Sequence, residues 1–235
     1  MQEERAISIK SISERQKIRP FHILSLIFIF IFVISNIAAA KMTFIAGKNI
    51  FSGIVYFPFI YIINDIITEV YGFKASRKII WVAAIMNCTC AILLYLAVLM
   101  PDAPGIENNA HFNQIFQLSS QILITSIISF VLGEYVNSIV LAKLKLKLNG
   151  KFFAMRAIFS TLIGCIVETL IFVSVVFYNT NLEGYILSLS ITLIGIKLIY
   201  EIIFMPITSM IVKYLKDTEH LDFYDYNTKF NLFSF

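Results

Sequence analysis

The chain has 235 residues, of which 58% are hydrophobic and 14% charged, with a net charge of +4 and a mean hydropathy of +0.81. Soluble domains are about 45–50% apolar and about 25% charged, so this composition excludes one, and it excludes disorder. Three cysteines in so long a chain exclude a disulfide scaffold, and the modest basic excess is scattered between apolar blocks, which argues against a nucleic-acid binder.

Taken in chain order, residues 1–20 form a basic arm carrying Arg5, Lys10, Arg15, Lys17 and Arg19. Six apolar segments follow, over 21–40, 50–70, 79–100, 117–141, 153–177 and 187–212, and residues 213–235 form a polar tail. Each segment meets the roughly 20 residues needed to cross a hydrocarbon core of about 30 Å at about 1.5 Å per residue. Strict alternation over ten-residue stretches, the mark of a membrane barrel, is absent. The expected fold is therefore all-α: a polytopic membrane protein with a six-transmembrane-helix bundle over 21–212.

Charge orients the bundle. Fifteen of the 19 Lys and Arg lie in the arm, the second and fourth connections and the tail, whereas the opposite side holds Lys41 and Lys48. The positive-inside rule places both termini in the cytoplasm, and six crossings require the same parity. Ala38-Ala39-Ala40 after the first apolar run resembles a leader cleavage site, but removing that run leaves five crossings and breaks the parity. With no organellar presequence, the orientation points to a bacterial inner membrane.

Seven ionisable residues remain within the apolar segments: Asp65, Glu69, Glu134, Arg156, Glu168, Lys197 and Glu201. Each costs at least about 2.5–3.5 kcal/mol near a helix centre, so a polar interior or a substrate site is expected. Straight-helix arithmetic sorts them by depth. Asp65, Glu69, Glu134 and Arg156 fall in an inner layer, and Glu168 and Lys197, with Asn36, fall in an outer one about 22 Å from the cytoplasmic face. Glu201 lies between. Asp65 and Glu69 are spaced i,i+4 with Tyr61 one turn earlier, and Lys197 and Glu201 share the same spacing and can pair within one helix. Blander readings stand beside these. Arg156 is near enough to the surface to snorkel, and Asp65 or Glu69 can neutralise it as a structural pair. Five acids against two bases leave a surplus that awaits protons or another cation.

Other chemistry is absent from the sequence. No phosphate loop, zinc-protease motif or nucleophile elbow occurs. His22, His111 and His220 are scattered, so no metal site is expected, and Cys88, Cys90 and Cys165 read as packing residues; no cofactor is implied. Pro58 and Pro206 fall inside the second and sixth segments, where each can unwind or merely kink a helix. Two halves of three helices admit an inverted 3+3 repeat, with Asp65 and Glu168 each about 15 residues into the middle helix of its half.

Several stretches together resemble one family. Residues 57–72, FPFIYIINDIITEVYG, followed by basic residues and Trp81, resemble the second helix of the queuosine precursor transporters, formerly grouped with vitamin uptake transporters. Residues 34–41, ISNIAAAK, resemble the end of their first helix. Residues 133–139, GEYVNSI, and 156–172, RAIFSTLIGCIVETLIF, resemble helices 4 and 5. Residues 197–206, KLIYEIIFMP, and the tail with Tyr224, Asp225 and Phe230-Asn231 resemble the end of the family's chain. One departure bears on substrate geometry: Glu168-Thr169 stands where the family usually has Asp-Thr, so the carboxylate reaches one methylene further.

The resemblance implies uptake of 7-cyano-7-deazaguanine, 7-aminomethyl-7-deazaguanine or queuine for tRNA modification, by a secondary transporter with a small-molecule substrate and no enzymatic step. A deazaguanine edge presents a ring N–H and an amine that one carboxylate accepts together, and its carbonyl wants a donor. Glu168 or Asp65 is then expected on the edge and Lys197 or Asn36 on the carbonyl. Glu69, Glu134, Arg156 and Glu201 are expected in gating or coupling, with protons as coupling ions. Two rivals compete with this reading: a substrate-binding subunit of an energy-coupling-factor importer, and an intramembrane enzyme or assembly factor.

Overall fold

The computed structural model describes residues 20–45, 47–103, 108–176 and 183–233; the basic arm expected over 1–20 lies outside them apart from Pro20. The elements are α1 (Pro20–Ala38), a hairpin of β1 (Met42–Ile45) and β2 (Lys48–Phe51), a 3-10 turn (Ser52–Val55), α2 (Pro58–Tyr71), α3 (Phe73–Val98), α4 (Asn108–Lys147), α5 (Phe153–Val176) and α6 (Glu183–Glu219). Among the described residues five helical stretches are long and apolar enough to cross a membrane: Pro20–Ala38, Phe73–Val98, Thr125–Lys147, Phe153–Val175 and Ile186–Glu219.

The second expected span, 50–70, is corrected by the structure. Its first residues form β2 and the 3-10 turn, and only Pro58–Tyr71 is α-helical. The reason lies at Pro58. Proline lacks an N–H and its ring clashes with the carbonyl four residues earlier, so a helix starts at it more readily than it runs through it. Pro58 accordingly sits in the first turn of α2, not inside a longer helix. Fourteen residues rise only about 21 Å, too short to span alone.

That short helix is nevertheless the centre of the molecule. Eleven of its fourteen residues are buried, among them Asn64, Asp65, Thr68 and Glu69. It packs against α1, α3, α4 and α6, so its polar side chains meet other helices instead of lipid. The irregular lead-in over 52–57 packs against protein as well, with Gly53 and Ile54 buried. The antiparallel hairpin, which pairs Met42 with Phe51 and Ile45 with Lys48, is tied to α6 through Lys48 Nζ. That amine donates to Ser188 O at 2.9 Å and Thr192 Oγ1 at 2.7 Å.

The outer helices follow the usual logic of a bundle. α1 turns Phe28, Phe32, Ser35 and Asn36 inward and Leu26 and Phe30 outward. The rings of Phe32 and Phe130 stack at 3.7 Å, which joins α1 to α4. Pro206 lies within α6 on an exposed position, and the helix continues past it to Glu219 without unwinding.

Residues 221–233 fold back across one end of the bundle. The indole of Trp81 donates to Leu232 O at 2.9 Å, Arg77 to Asn231 O at 2.7 Å and Tyr135 to Phe230 O at 2.7 Å. Asp225 Oδ2 accepts the Phe73 backbone N–H at 2.9 Å, which caps the start of α3. The α2–α3 corner is made by Gly72 at φ 84°, and a Cβ there would lie 2.3 Å from the Phe223 ring. Glycine therefore serves both the left-handed turn and the close approach of the tail.

Candidate functional site

All seven charges expected inside the membrane are buried, each at most 6% exposed. They divide into three levels along the bundle.

At the level of the hairpin, a cavity lies between α1, the 3-10 turn, α5 and α6. Its walls include Asn36, Phe51, Phe57, Glu168, Phe172 and Lys197, with Ser126 and Thr169 adding hydroxyls. The cavity volume is about 60 Å³, well below the roughly 300–1,000 Å³ typical of small-molecule sites, so a bicyclic base enters only if the walls move apart. Lys197 Nζ lies 2.7 Å from Glu168 Oε2, and the Tyr61 hydroxyl donates to the same oxygen. Both side-chain hydrogen bonds that Glu168 makes among the described residues therefore fall on Oε2, Oε1 makes none, and the residue lines the cavity. Lys197 also lies 4.6 Å from the centre of the Phe57 ring and 5.2 Å from that of Tyr61, a cation–π setting that holds the ammonium beside the carboxylate. Phe51 and Phe172 meet edge to face at 5.7 Å and supply flat apolar wall.

The position of Glu168 is set by a glycine contact between α4 and α5. A Cβ on Gly133 would come 2.5 Å from Glu168 Cβ and 3.1 Å from Gly164 O, and one on Gly164 would come 2.8 Å from Asn137 Cβ. Only glycine lets these backbones cross so closely. The close approach at Gly164 is thus to a neighbouring helix.

The middle level is a set of carboxyls with amide partners. Asp65 Oδ1 accepts from Asn137 Nδ2 at 2.7 Å, and Glu134 Oε2 from Asn64 Nδ2 at 2.5 Å. Ser76 and Ser138 complete the shell of Asn64, at 2.6 Å and 2.9 Å. Glu134 Oε1 and both carboxyl oxygens of Glu201 are buried with no hydrogen-bond partner.

The third level is an ion cluster centred on Glu69. Arg156 grips it with both terminal nitrogens, at 2.7 and 3.1 Å, and Lys216 adds a bond of 2.7 Å. Lys145 donates to the Glu69 carbonyl at 2.5 Å and to Asp222 of the tail at 2.6 Å, and Lys216 reaches Asp222 at 2.9 Å. The remaining donors of Arg156 go to Lys151 O at 2.9 Å and Gly150 O at 3.1 Å. Partial burial alone would raise the Asp222 carboxyl, but the hydrogen bonds from Lys145 and Lys216 outweigh it and hold that group below its ordinary value.

The structure thus brings Asn36, Glu168 and Lys197 to one cavity, as their equal depth suggests. Asn36 is partly committed, donating to Phe32 O at 2.9 Å and accepting from Ser126 Oγ at 2.6 Å. Asp65 does not line this cavity. Lys197 and Glu201 do not pair within α6, because Lys197 reaches across to α5. Arg156 does not snorkel; it is fully buried and paired with Glu69. Lys145 and Lys216, assigned by sequence to a loop and the tail, belong to helices that run further than expected, to Lys147 and Glu219. Tyr61, Phe51, Phe57 and Phe172 were not singled out for the site. Tyr61 carried a signal, its i,i+4 spacing from Asp65, whereas nothing in the sequence separates these three Phe from the other nineteen.

A family model described as "Putative vitamin uptake transporter" matches residues 51–211, a stretch containing α2 to α5 and most of α6. A Haemophilus influenzae protein named "Probable queuosine precursor transporter" is 28% identical over 183 residues, covering 72% of this chain and 74% of that one. The Escherichia coli "Queuosine precursor transporter" is 24% identical over 168 residues, covering 72% and 73% respectively. No solved structure matches the chain. With the match extending over more than half its length, and with several helices apolar enough to cross a bilayer, the chain belongs to the vitamin uptake transporter family and is a multi-pass membrane transporter, not an enzyme.

Proposed function

We propose that the chain imports queuosine precursors, 7-deazaguanine bases destined for tRNA modification, across a bacterial inner membrane. The observation that carries this reading is Glu168. It is a buried carboxylate on a cavity wall with one oxygen held by Lys197 and Tyr61 and the other without a hydrogen bond among the described residues. The Glu168 carboxylate accepts the ring N–H and exocyclic amine of a guanine-like edge once Lys197 releases it, Asn36 can donate to the ring carbonyl, and the phenyl groups of Phe57 and Phe172 offer faces for a flat bicycle. The names of the two relatives point to the same cargo class. An aminomethyl group would place a positive charge among the surplus carboxylates, which favours 7-aminomethyl-7-deazaguanine or queuine over the neutral nitrile.

In this reading both termini are cytoplasmic, and the chain crosses six times. The hairpin, the 3-10 turn and α2 together make the second crossing. The Glu69–Arg156 cluster and the tail then close the cytoplasmic end while the cavity faces outward. Asp65, Glu134 and Glu201 lie on the route between the two, where protons couple to a secondary transport cycle. An inverted 3+3 relation would set Asp65 and Glu168 in equivalent middle helices.

The test is uptake in a bacterial host unable to make or import 7-deazaguanines. Cells receive the intact chain or Glu168→Gln with a trace supply of each candidate base, and queuosine is read in purified tRNA. Restoration by the intact chain and loss with membrane-inserted Glu168→Gln is the expected result. Restoration by neither, with the intact protein present in the membrane, rules out these cargoes.

A further inference from the structure

Glu201 stands apart from the other buried acids. It is 1% exposed, and neither carboxyl oxygen has a hydrogen-bond partner. Every other carboxyl at or below the cavity has at least one donor: Lys197 and Tyr61 for Glu168, Asn137 for Asp65, Asn64 for Glu134, and Arg156 with Lys216 for Glu69. A bare carboxylate without a donor in such surroundings is prohibitively costly, whereas its protonated form is neutral. The ionisable groups close enough to interact with Glu201 from neighbouring helices are acids, Asp65 on α2 and Glu134 on α4. On its own helix, Lys197 is one turn away, and on α5 Glu168 now holds that lysine. Arg156 is held by Glu69 and two backbone carbonyls through four of its five N–H donors. Among the described residues no three His, Cys, Asp or Glu are grouped to hold a metal ion, and a proton on Glu201 removes the cost of its buried charge without any further ligand.

We propose that Glu201 is the proton-carrying group of the transport cycle and that Lys197 links it to the solute site. While Lys197 is bonded to Glu168, Glu201 keeps its proton. When a solute takes Glu168, the lysine swings about 6 Å along α6 to the i+4 position and pairs with Glu201. The only covalent bond broken is the Glu201 O–H, and its proton goes to water. Lys197 stays an ammonium and Glu168 a carboxylate throughout, so one proton leaves for each solute bound. The reverse swap, with proton uptake by Glu201 from the cytoplasm, returns Lys197 to Glu168 and expels the solute. The cycle is a base–proton exchange in which a proton leaves as a base enters, and consumption of the base inside the cell supplies its drive.

This inference rests on Glu168 being the solute site and deepens that reading. Its test uses the purified full-length chain in lipid nanodiscs with 7-aminomethyl-7-deazaguanine as the probe. Calorimetric titration in two buffers of different ionisation heat should show about one proton released per base bound. Affinity should then rise about tenfold per pH unit while the free protein holds that proton. Glu201→Gln should show weaker binding with no proton release and no pH slope. Binding by the intact chain without proton release overturns the proposal and leaves the cargo assignment standing. A second arm needs no ligand: the infrared stretch of a protonated carboxyl, recorded on the free protein at neutral pH, should be present in the intact chain and reduced in Glu201→Gln. If the base fails to bind, the cargo is wrong, and the infrared arm decides alone. A band that Glu201→Gln leaves unchanged overturns the protonated Glu201.

Discussion

The two ends of the bundle use buried charge in opposite ways. Around Glu69, charge is saturated: one carboxylate is bonded by Arg156 and Lys216, Lys145 lies against its backbone carbonyl, and the tail contributes Asp222 as a second acceptor. Around Glu168, charge is left partly unspent: on the wall of a cavity, a single lysine and a tyrosine share one oxygen, and the other has no hydrogen bond among the described residues. Saturation suits a seal and incompleteness suits a binding site, because a ligand gains most where a buried acceptor still lacks a donor. Similar residue types thus serve structure at one end and recognition at the other.

The largest effect expected from this contrast is at Arg156. Arg156→Met removes the bidentate partner of a fully buried carboxylate, which costs about 3–5 kcal/mol and should appear as a large loss of thermal stability and of protein in the membrane. Glu168→Gln should leave melting close to that of the intact chain yet weaken base binding by about 10- to 100-fold, the worth of a charge-assisted hydrogen bond. If Glu168→Gln destabilised as much as Arg156→Met, the two ends would not differ in the way described. Gly133→Ala probes the same site from behind. The new methyl, built 2.5 Å from Glu168 Cβ, should push the carboxylate off its position and weaken binding by about tenfold, with a smaller loss of stability.

The smallest effect concerns the tail and pH. Asp222 is held below its ordinary carboxylate value when folded, so its contribution is fully present above the unfolded value near 3.9. That contribution is lost as pH falls through the lower folded value. Limited proteolysis of the tail should therefore accelerate in that acid range. Asp222→Asn should be cut faster at neutral pH and show less change on acidification. An unchanged cleavage rate in the variant at neutral pH would mean that the tail is held without Asp222, by contacts such as those of Trp81, Arg77, Tyr135 and Asp225.

What the sequence revealed depends on how local the cause was. The apolar helices, the burial of all seven charges and the common depth of Asn36, Glu168 and Lys197 follow from helix rise and residue chemistry alone. Rotation about the helix axis does not. Asp65 and Glu69 share a face by spacing, yet Asp65 meets Asn137 and Glu69 meets Arg156, and neither lines the cavity. The shortness of α2 was signalled by Pro58, but a run this apolar reads as one span until the proline is taken as a start. The tail's role was hidden for a different reason. Its partners Arg77, Trp81, Tyr135 and Lys145 come from α3 and α4, and its own residues are polar and aromatic without a period. Lys145 and Lys216 were placed in loops because hydropathy ends a span before the helix ends.

The most direct test of the account is equilibrium binding of radiolabelled 7-aminomethyl-7-deazaguanine to the purified chain and to Glu168→Gln, with melting measured on both. Saturable binding by the intact chain, weakened at least tenfold in a variant that melts like it, is the predicted result. Equal affinity in the two proteins would contradict the assignment of Glu168 as the group that reads the base.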